Sequence, residues 1–156
     1  MRRIRFIVVH CSASKDGSPK TLEGLIAEHK ARGFRTVGYH YIIEPSGLRL
    51  VGRLEAEIGA HVVGHNADSI GICMIGTKKF TRAAWLKLRD TVSELKAKYP
   101  QAVVCGHRDL SPDLNKNGKI EPNEWVKQCP SFDVATWVSK GMAPLDGQIW
   151  EERHDA

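Results

Sequence analysis

The sequence predicts a single α/β domain, with a mixed central β-sheet and helices packed on both sides. Its 156 residues fit one domain with a sizeable core, and no linker, repeat or low-complexity stretch divides them. Short β-branched runs alternate with segments of helical periodicity, which is the pattern of a sheet covered by helices. We therefore expect one domain over residues 1–156, with its core at about residues 4–140 and a long loop at 108–128.

Five short runs of β-branched and apolar residues are predicted strands. They are residues 4–9, 39–43, 48–51, 69–75 and 102–105. The second and third runs flank a Glu-Pro-Ser-Gly turn, so they are expected to form a hairpin. Whether the other strands pair in parallel or antiparallel fashion does not follow from these patterns.

Three segments are predicted helices. Residues 21–32 carry Leu22, Leu25, Ile26 and His29 at i, i+3, i+4 and i+7, the spacing of an amphipathic helix. Thr81 can cap a long helix that continues through Tyr99. Ser131 is the expected cap of a last helix that ends near Lys140.

Composition and charge restrict the classes of partner. The formal net charge of +5 favours an anionic partner. Basic residues are dispersed and aromatic residues make up only 7%, so a nucleic-acid surface of stacking rings and cations is not expected. No apolar run approaches the roughly 18 residues of a membrane-spanning helix. We expect a monomer. We also expect it to be made in the cytoplasm, because the apolar stretch after the basic N-terminus is too short for a signal peptide and no cleavage site follows it.

The four cysteines are well separated and form no CxxC pair, so a disulfide framework is not expected. Cys73 and Cys105 stand inside apolar runs and are expected to be buried as small hydrophobic residues. Cys129 stands in a polar loop, where such burial is less natural.

Two histidines follow predicted strands. His10 ends the first strand and His107 follows the strand at 102–105, and strand ends are where α/β proteins present side chains to a cleft. A single histidine in such a place is commonly structural. With Cys129 across one long loop, however, two imidazoles and a thiolate would form a tetrahedral zinc site with one position left for water. That is the pattern of a catalytic zinc site rather than a structural one.

Four segments carry a family resemblance: residues 6–14 (FIVVHCSAS), 37–43 (VGYHYII), 69–73 (SIGIC) and 129–133 (CPSFD). In this order they resemble the phage-type zinc N-acetylmuramoyl-L-alanine amidases, which are relatives of the peptidoglycan-recognition proteins. The resemblance spans the chain from about residue 4 to residue 138. It implies a zinc hydrolase that cuts peptidoglycan between N-acetylmuramic acid and the L-alanine of the stem peptide, as a phage or prophage endolysin does.

The resemblance also implies roles for five residues. His10, His107 and Cys129 match the family's zinc ligands, Tyr39 its catalytic tyrosine and Lys127 its catalytic lysine. The Lys127 ammonium would stabilise the oxyanion of the tetrahedral intermediate. The Tyr39 hydroxyl would orient the water or hydrogen-bond the intermediate. Which of the two protonates the leaving amine stays open.

Residues 59–66 (GAHVVGHN) resemble the family segment that lines the peptide groove, so His61 and Asn66 are predicted substrate contacts. The alternative to an enzyme is a recognition module that holds a muropeptide without cleaving it. Loss of the cysteine ligand marks non-catalytic members of the family, and Cys129 is present. Without an export signal, the enzyme would reach the cell wall after holin-type or other release.

The long loop contains a second candidate metal site, at residues 113–124 (DLNKNGKIEPNE). Oxygen-bearing side chains at positions 1, 3, 5, 9 and 12, with glycine at position 6, fit a twelve-residue calcium loop. The predicted ligands are Asp113, Asn115, Asn117, the Lys119 carbonyl, Glu121 and Glu124. An ordinary Asn-Gly turn explains the pattern equally well.

Overall fold

The computed structural model describes residues 2–13, 31, 37–112, 114–125 and 129–151. In these residues five strands form one sheet: β1 (Phe6–Cys11), β2 (Tyr41–Ile43), β3 (Arg49–Val51), β4 (Ser69–Met74) and β5 (Val103–Gly106). Two α-helices accompany them, α1 (Arg82–Lys98) and α2 (Val134–Ser139). Single 3-10 turns occupy Asn66–Asp68, His107–Leu110 and Pro122–Glu124. The helix predicted at 21–32 lies outside the described residues.

The sheet is mixed, in the order β3-β2-β4-β1-β5. Strand β1 lies between β4 and β5 and pairs in parallel with both, and β2 pairs in parallel with β4. Strands β2 and β3 form the predicted antiparallel hairpin at one edge. The predicted α/β class with a mixed central sheet is therefore confirmed. Four strands run in the same direction, so their carboxyl ends lie together along one border of the sheet, here called its carboxyl edge. Proteins of the α/β class bind their ligands at this border.

The main apolar core lies between the sheet and the two described helices. Ile7 and Val9 of β1 pack in one buried cluster with Trp85 and Leu88 of α1 and Trp137 of α2. Both described helices therefore cover the same face of the sheet. Neither of them has the length and the apolar run needed to cross a bilayer.

The two described helices begin in different ways. Thr81 caps α1 as predicted, because its Oγ1 accepts the N–H of Ala84 at 3.0 Å. The predicted cap of α2 at Ser131 is wrong, since the helix begins at Val134 with Asp133 at its N-cap. The intervening Phe132 is buried against Trp85, with ring centroids 4.9 Å apart, and this packing holds the chain ahead of the helix.

His40 is a fully buried histidine just before β2. Its Nδ1 accepts the backbone N–H of Gly71 at 3.0 Å, and its Nε2 lies 2.8 Å from the carbonyl oxygen of Glu57, to which it donates. This pair of hydrogen bonds requires the neutral ring, because a proton on Nδ1 would face the N–H of Gly71. Burial lowers the pKa of His40 in addition.

We predict that His40 makes the stability of the protein fall in mild acid. The unfolded chain takes up a proton near pH 6.5 and the folded protein does so only at lower pH, so this contribution to stability is full above pH 6.5 and decreases as the pH falls below it. Replacing the histidine in His40→Asn keeps an acceptor near the Nδ1 position and removes the titration. The measurement is urea denaturation of the metal-free proteins at pH 7, 6 and 5. The free energy of unfolding should fall more steeply with pH in the wild type than in His40→Asn, by a difference that approaches about 1.4 kcal/mol per pH unit. Parallel pH profiles for the two proteins would contradict the prediction.

Candidate metal centre and active site

The structure brings His10, His107 and Cys129 together at the carboxyl edge of the sheet. Their possible ligand atoms all lie within 4.8 Å of one another. His10 lies in β1 and is buried, His107 directly follows β5, and Cys129 lies in the segment before α2. The ring centroids of the two histidines are 4.7 Å apart. The three residues that the sequence indicated as metal ligands are therefore close enough to share one ion.

The strand register explains why the two histidines meet. Val9 of β1 lies opposite Gly106 of β5 in a parallel pair, and the residue after each of them is a histidine. Gly106 is needed for the third ligand, because a Cβ at that position would lie 2.7 Å from Cδ of Pro130. A residue with a side chain there would push the segment that carries Cys129 away from the sheet.

Cys129 is fixed by backbone hydrogen bonds on both sides. Its carbonyl oxygen accepts the N–H of Arg108 at 2.8 Å, and its Sγ accepts the N–H of Cys11 at 3.0 Å. The hydrogen bond with the Cys11 side chain and burial raise the pKa of the Cys129 thiol. A thiolate at this position therefore requires a cation beside it, and an ion shared with His10 and His107 would supply that charge.

Tyr39 lies beside the three candidate ligands. Its ring centroid is 5.0 Å from that of His10. Burial raises the pKa of Tyr39 well above its ordinary value, and the nearby thiols of Cys73 and Cys129 act in the same direction. The phenol therefore stays protonated at neutral pH, and its hydroxyl hydrogen-bonds to the side chain of Cys73. The second predicted catalytic residue, Lys127, lies outside the described residues.

The structure corrects the predicted substrate contact of His61. Its side chain lies beneath the candidate ligands, and the residue is only 8% exposed. Its Nδ1 lies 2.8 Å from Nε2 of His10, and its Nε2 lies 3.0 Å from Oγ of Ser69. Burial lowers the pKa of His61 to about 3, so the ring is neutral at physiological pH. With both nitrogens bonded inside the protein, this residue has no ring atom to offer a peptide.

Asn66 is half-buried at the start of a 3-10 turn. Its Oδ1 accepts the backbone N–H groups of His61 and Val62 at 2.8 and 2.9 Å. The side chain therefore shapes the segment that carries His61. A substrate contact through the amide group of Asn66 stays a prediction.

The long loop is organised by the carboxylate of Glu124. This side chain is almost fully buried and accepts the backbone N–H groups of Leu114, Asn115 and Glu121, the last two at 3.2 and 3.1 Å. The Oδ1 of Asn117 accepts the N–H of Lys119 at 2.9 Å. Several predicted calcium ligands thus bond to the loop itself.

The calcium site receives no support from the described part of the loop. Asp113, the first of its predicted ligands, lies outside the described residues. Asn115 also bonds within the loop, because its Oδ1 accepts the N–H of Asn117 at 3.2 Å. These are the hydrogen bonds of ordinary Asx turns, and they account for the loop's shape without an ion.

Arg108 is a residue whose role the sequence did not indicate. Its guanidinium carbon lies 4.1 Å from the ring centroid of Trp125, and its Nη1 donates to the carbonyl oxygen of Pro130 at 3.4 Å. Arg108 also donates its backbone N–H to Cys129. These contacts hold the C-terminal end of the long loop against the 3-10 turn that follows β5. A single arginine next to a candidate ligand gives no sequence signal for this function.

We predict that Glu124→Gln lowers the free energy of unfolding by about 1–3 kcal/mol, because one acceptor oxygen becomes an NH₂ group that faces backbone N–H groups. The matched control is Glu121→Gln, since the Glu121 carboxylate bonds to the exposed side chain of Asn117. Urea denaturation with and without millimolar calcium measures both effects. Equal stability of the two variants would contradict the prediction. A calcium-dependent gain in the wild type that Glu124→Gln abolishes would restore the calcium site.

Comparison with known proteins agrees with this geometry. The family model described as N-acetylmuramoyl-L-alanine amidase matches residues 1–130. The endolysin of Escherichia phage T7 is 35% identical over 142 residues, which are 86% of this chain and 85% of that protein. The endolysin of Enterobacteria phage K11 is 34% identical over 141 residues, or 85% and 84% of the two chains. An uncharacterized protein of Haemophilus influenzae is 50% identical over 104 residues, which are 61% of this chain and 90% of its own length.

Solved structures share the fold at lower identity. The N-acetylmuramoyl-L-alanine amidase LysC from Clostridium intestinale superposes with a TM-score of 0.71 at 23% identity, covering 90% of this chain and 85% of its own. Drosophila PGRP-LB gives a TM-score of 0.69 at 19% identity, with 99% and 87% covered. The resemblance inferred from the four sequence segments is confirmed. This chain belongs to the N-acetylmuramoyl-L-alanine amidase family.

Proposed function

We propose that the protein is a zinc-dependent peptidoglycan amidase that hydrolyses the amide bond between N-acetylmuramic acid and the L-alanine of the stem peptide. The observation that carries the proposal is the convergence of His10, His107 and Cys129 within 4.8 Å. Two imidazole nitrogens and a thiolate suit zinc, whereas magnesium and calcium prefer oxygen ligands. Three protein ligands leave one tetrahedral position open, which is the arrangement of catalytic zinc sites.

The residues around the candidate ligands have complementary tasks. Zinc, when bound, supplies an activated water and polarises the scissile carbonyl. The Tyr39 hydroxyl, which burial keeps protonated and which bonds to Cys73 in this structure, would donate a hydrogen bond to the charge that develops on the substrate. Lys127 precedes Cys129 by two residues, and its ammonium is our candidate for stabilising the oxyanion. The leaving amine takes its proton from one of these two residues.

The proposed biological role is that of a phage or prophage endolysin. The relatives from phages K11 and T7 carry that name and match most of this chain. A peptidoglycan substrate is consistent with the family and with the net positive charge, since the wall polymer is anionic. We propose that the protein works as a monomer, is made in the host cytoplasm and reaches the wall after holin-type or other release.

We predict that the zinc-loaded protein lowers the turbidity of purified cell walls and releases new L-alanine amino termini. Amino-terminal labelling of the soluble products, with mass spectrometry, identifies the bond that is cut. Treatment with a chelator should abolish the release, and added zinc should restore it. Binding to the walls without any release would favour the recognition module instead.

We predict that His10→Ala, His107→Ala and Cys129→Ala each lose both zinc and activity. Each variant removes one of three protein ligands, so the metal content after dialysis should fall well below one ion per chain. His65→Ala is the matched control for zinc content, because it removes a half-buried ring that packs on Phe6 and keeps the backbone carbonyl that Ser69 bonds to. Full zinc occupancy in any one ligand variant would remove that residue from the ligand set.

We predict a different result for the two catalytic candidates. Tyr39→Phe and Lys127→Ala should bind zinc and melt like the wild type but lose about 10²-fold or more in rate, as expected for lost proton transfer or oxyanion stabilisation. Initial rates on intact sacculi, measured beside the zinc content, separate the two effects. Wild-type turnover in either variant would exclude the catalytic role of that residue.

A further inference from the structure

The ring of His61 lies in a slot that excludes other side chains. A Cβ added at Gly71 would lie 2.8 Å from the ring atoms Cγ and Nδ1 of His61, and a Cβ at Gly59 would lie 2.7 Å from its Cδ2. Both glycines therefore allow backbone to pack directly against the imidazole. Since the ring is almost fully buried, its orientation is set by this packing and by its two hydrogen bonds.

One backbone carbonyl determines the direction of the hydrogen bonds that His61 makes with Ser69 and His10. Ser69 Oγ lies 2.7 Å from the carbonyl oxygen of His65, which can only accept, so the serine hydroxyl donates to it. The same hydroxyl must then accept from Nε2 of His61, at 3.0 Å. A neutral His61 with its hydrogen on Nε2 has its lone pair on Nδ1, directed at Nε2 of His10.

The hydrogen-bond direction at His61 also determines which nitrogen of His10 can bind a metal. Because Nδ1 of His61 accepts, Nε2 of His10 must carry a hydrogen and donate across the 2.8 Å between them. A neutral histidine protonated on Nε2 has its lone pair on Nδ1, which is then the ring atom that can coordinate a metal. The orientation and the tautomer of the first candidate ligand thus follow from three residues outside the candidate ligand set: His61, Ser69 and His65.

We propose that His61 is a positioning residue of the metal site. The chain of bonds from the His65 carbonyl through Ser69 and His61 fixes His10 in the tautomer whose Nδ1 can bind zinc. The inference rests on the proposed zinc site and assigns His61 to the support of a ligand rather than to the peptide groove. In metalloproteins, partners of this kind typically change metal affinity by about 10–100-fold when they are removed.

The first test compares two substitutions at one position. His61→Asn puts an amide oxygen near the position of Nδ1, where it can accept from His10, whereas His61→Leu fills the slot without an acceptor. We expect His61→Leu to raise the Kd for zinc by about 10–100-fold and His61→Asn to recover most of that loss. Competition with a chromophoric chelator measures Kd, and thermal melting of both metal-free variants checks the fold. Wild-type affinity in His61→Leu, or equally weak binding by both folded variants, would reduce His61 to a packing role and overturn the proposal.

The second test needs no substitution and holds even if a variant fails to fold. Long-range ¹H–¹⁵N correlation spectra of the metal-free wild type report which nitrogen of each histidine carries the hydrogen. We expect the Nε2–H form for both His10 and His61. A His10 ring in the Nδ1–H form, in a protein that binds zinc, would overturn this inference alone. A wild type with both rings in the expected form that binds no zinc would overturn the proposed function and leave the hydrogen-bond assignment intact.

Discussion

The parallel register of β1 against β5 is the constraint on which the whole site depends. Val9 lies opposite Gly106, so the chain delivers His10 and His107 side by side at the carboxyl edge of the sheet. Alternation along β1 puts His10 on the face opposite the helix-covered core that holds Ile7 and Val9. If the pairing register of β1 shifted by one residue, His10 would point into that core and a valine would point toward the metal site. The buried apolar face of the sheet opposes such a shift and so fixes the register.

Buried neutral histidines support the ligands from below. An imidazole without charge offers one donor and one acceptor, so it can extend a chain of hydrogen bonds without adding a positive charge near a bound cation. His61 occupies this position beneath His10, and the neighbouring His40 joins the backbones of Gly71 and Glu57. The ring centroids of the two buried histidines are 5.8 Å apart. Burial makes both rings poor bases, which keeps each of them neutral at neutral pH.

Local patterns were sufficient to predict much of the fold and the three candidate ligands. The β-branched runs, the Thr81 cap and the hairpin turn act over a few residues, and the strand ends identified His10 and His107. The direction of strand pairing could not be predicted, since it depends on residues far apart in the chain. The same holds for His61, whose partners His10 and Ser69 lie 51 and 8 positions away, and whose role follows only from the direction of each bond. Arg108 likewise acts across the long loop, on Trp125 and on the backbone of Cys129.

The coordination shell of the bound metal tests the account most directly. X-ray absorption at the zinc edge of the loaded protein resolves sulfur from nitrogen and oxygen by distance. The account predicts one sulfur at about 2.3 Å and three nitrogen or oxygen neighbours at about 2.0–2.1 Å, two of them with the outer-shell scattering of imidazole. A shell without sulfur, or one dominated by sulfur, would contradict the assignment of His10, His107 and Cys129 as the zinc ligands.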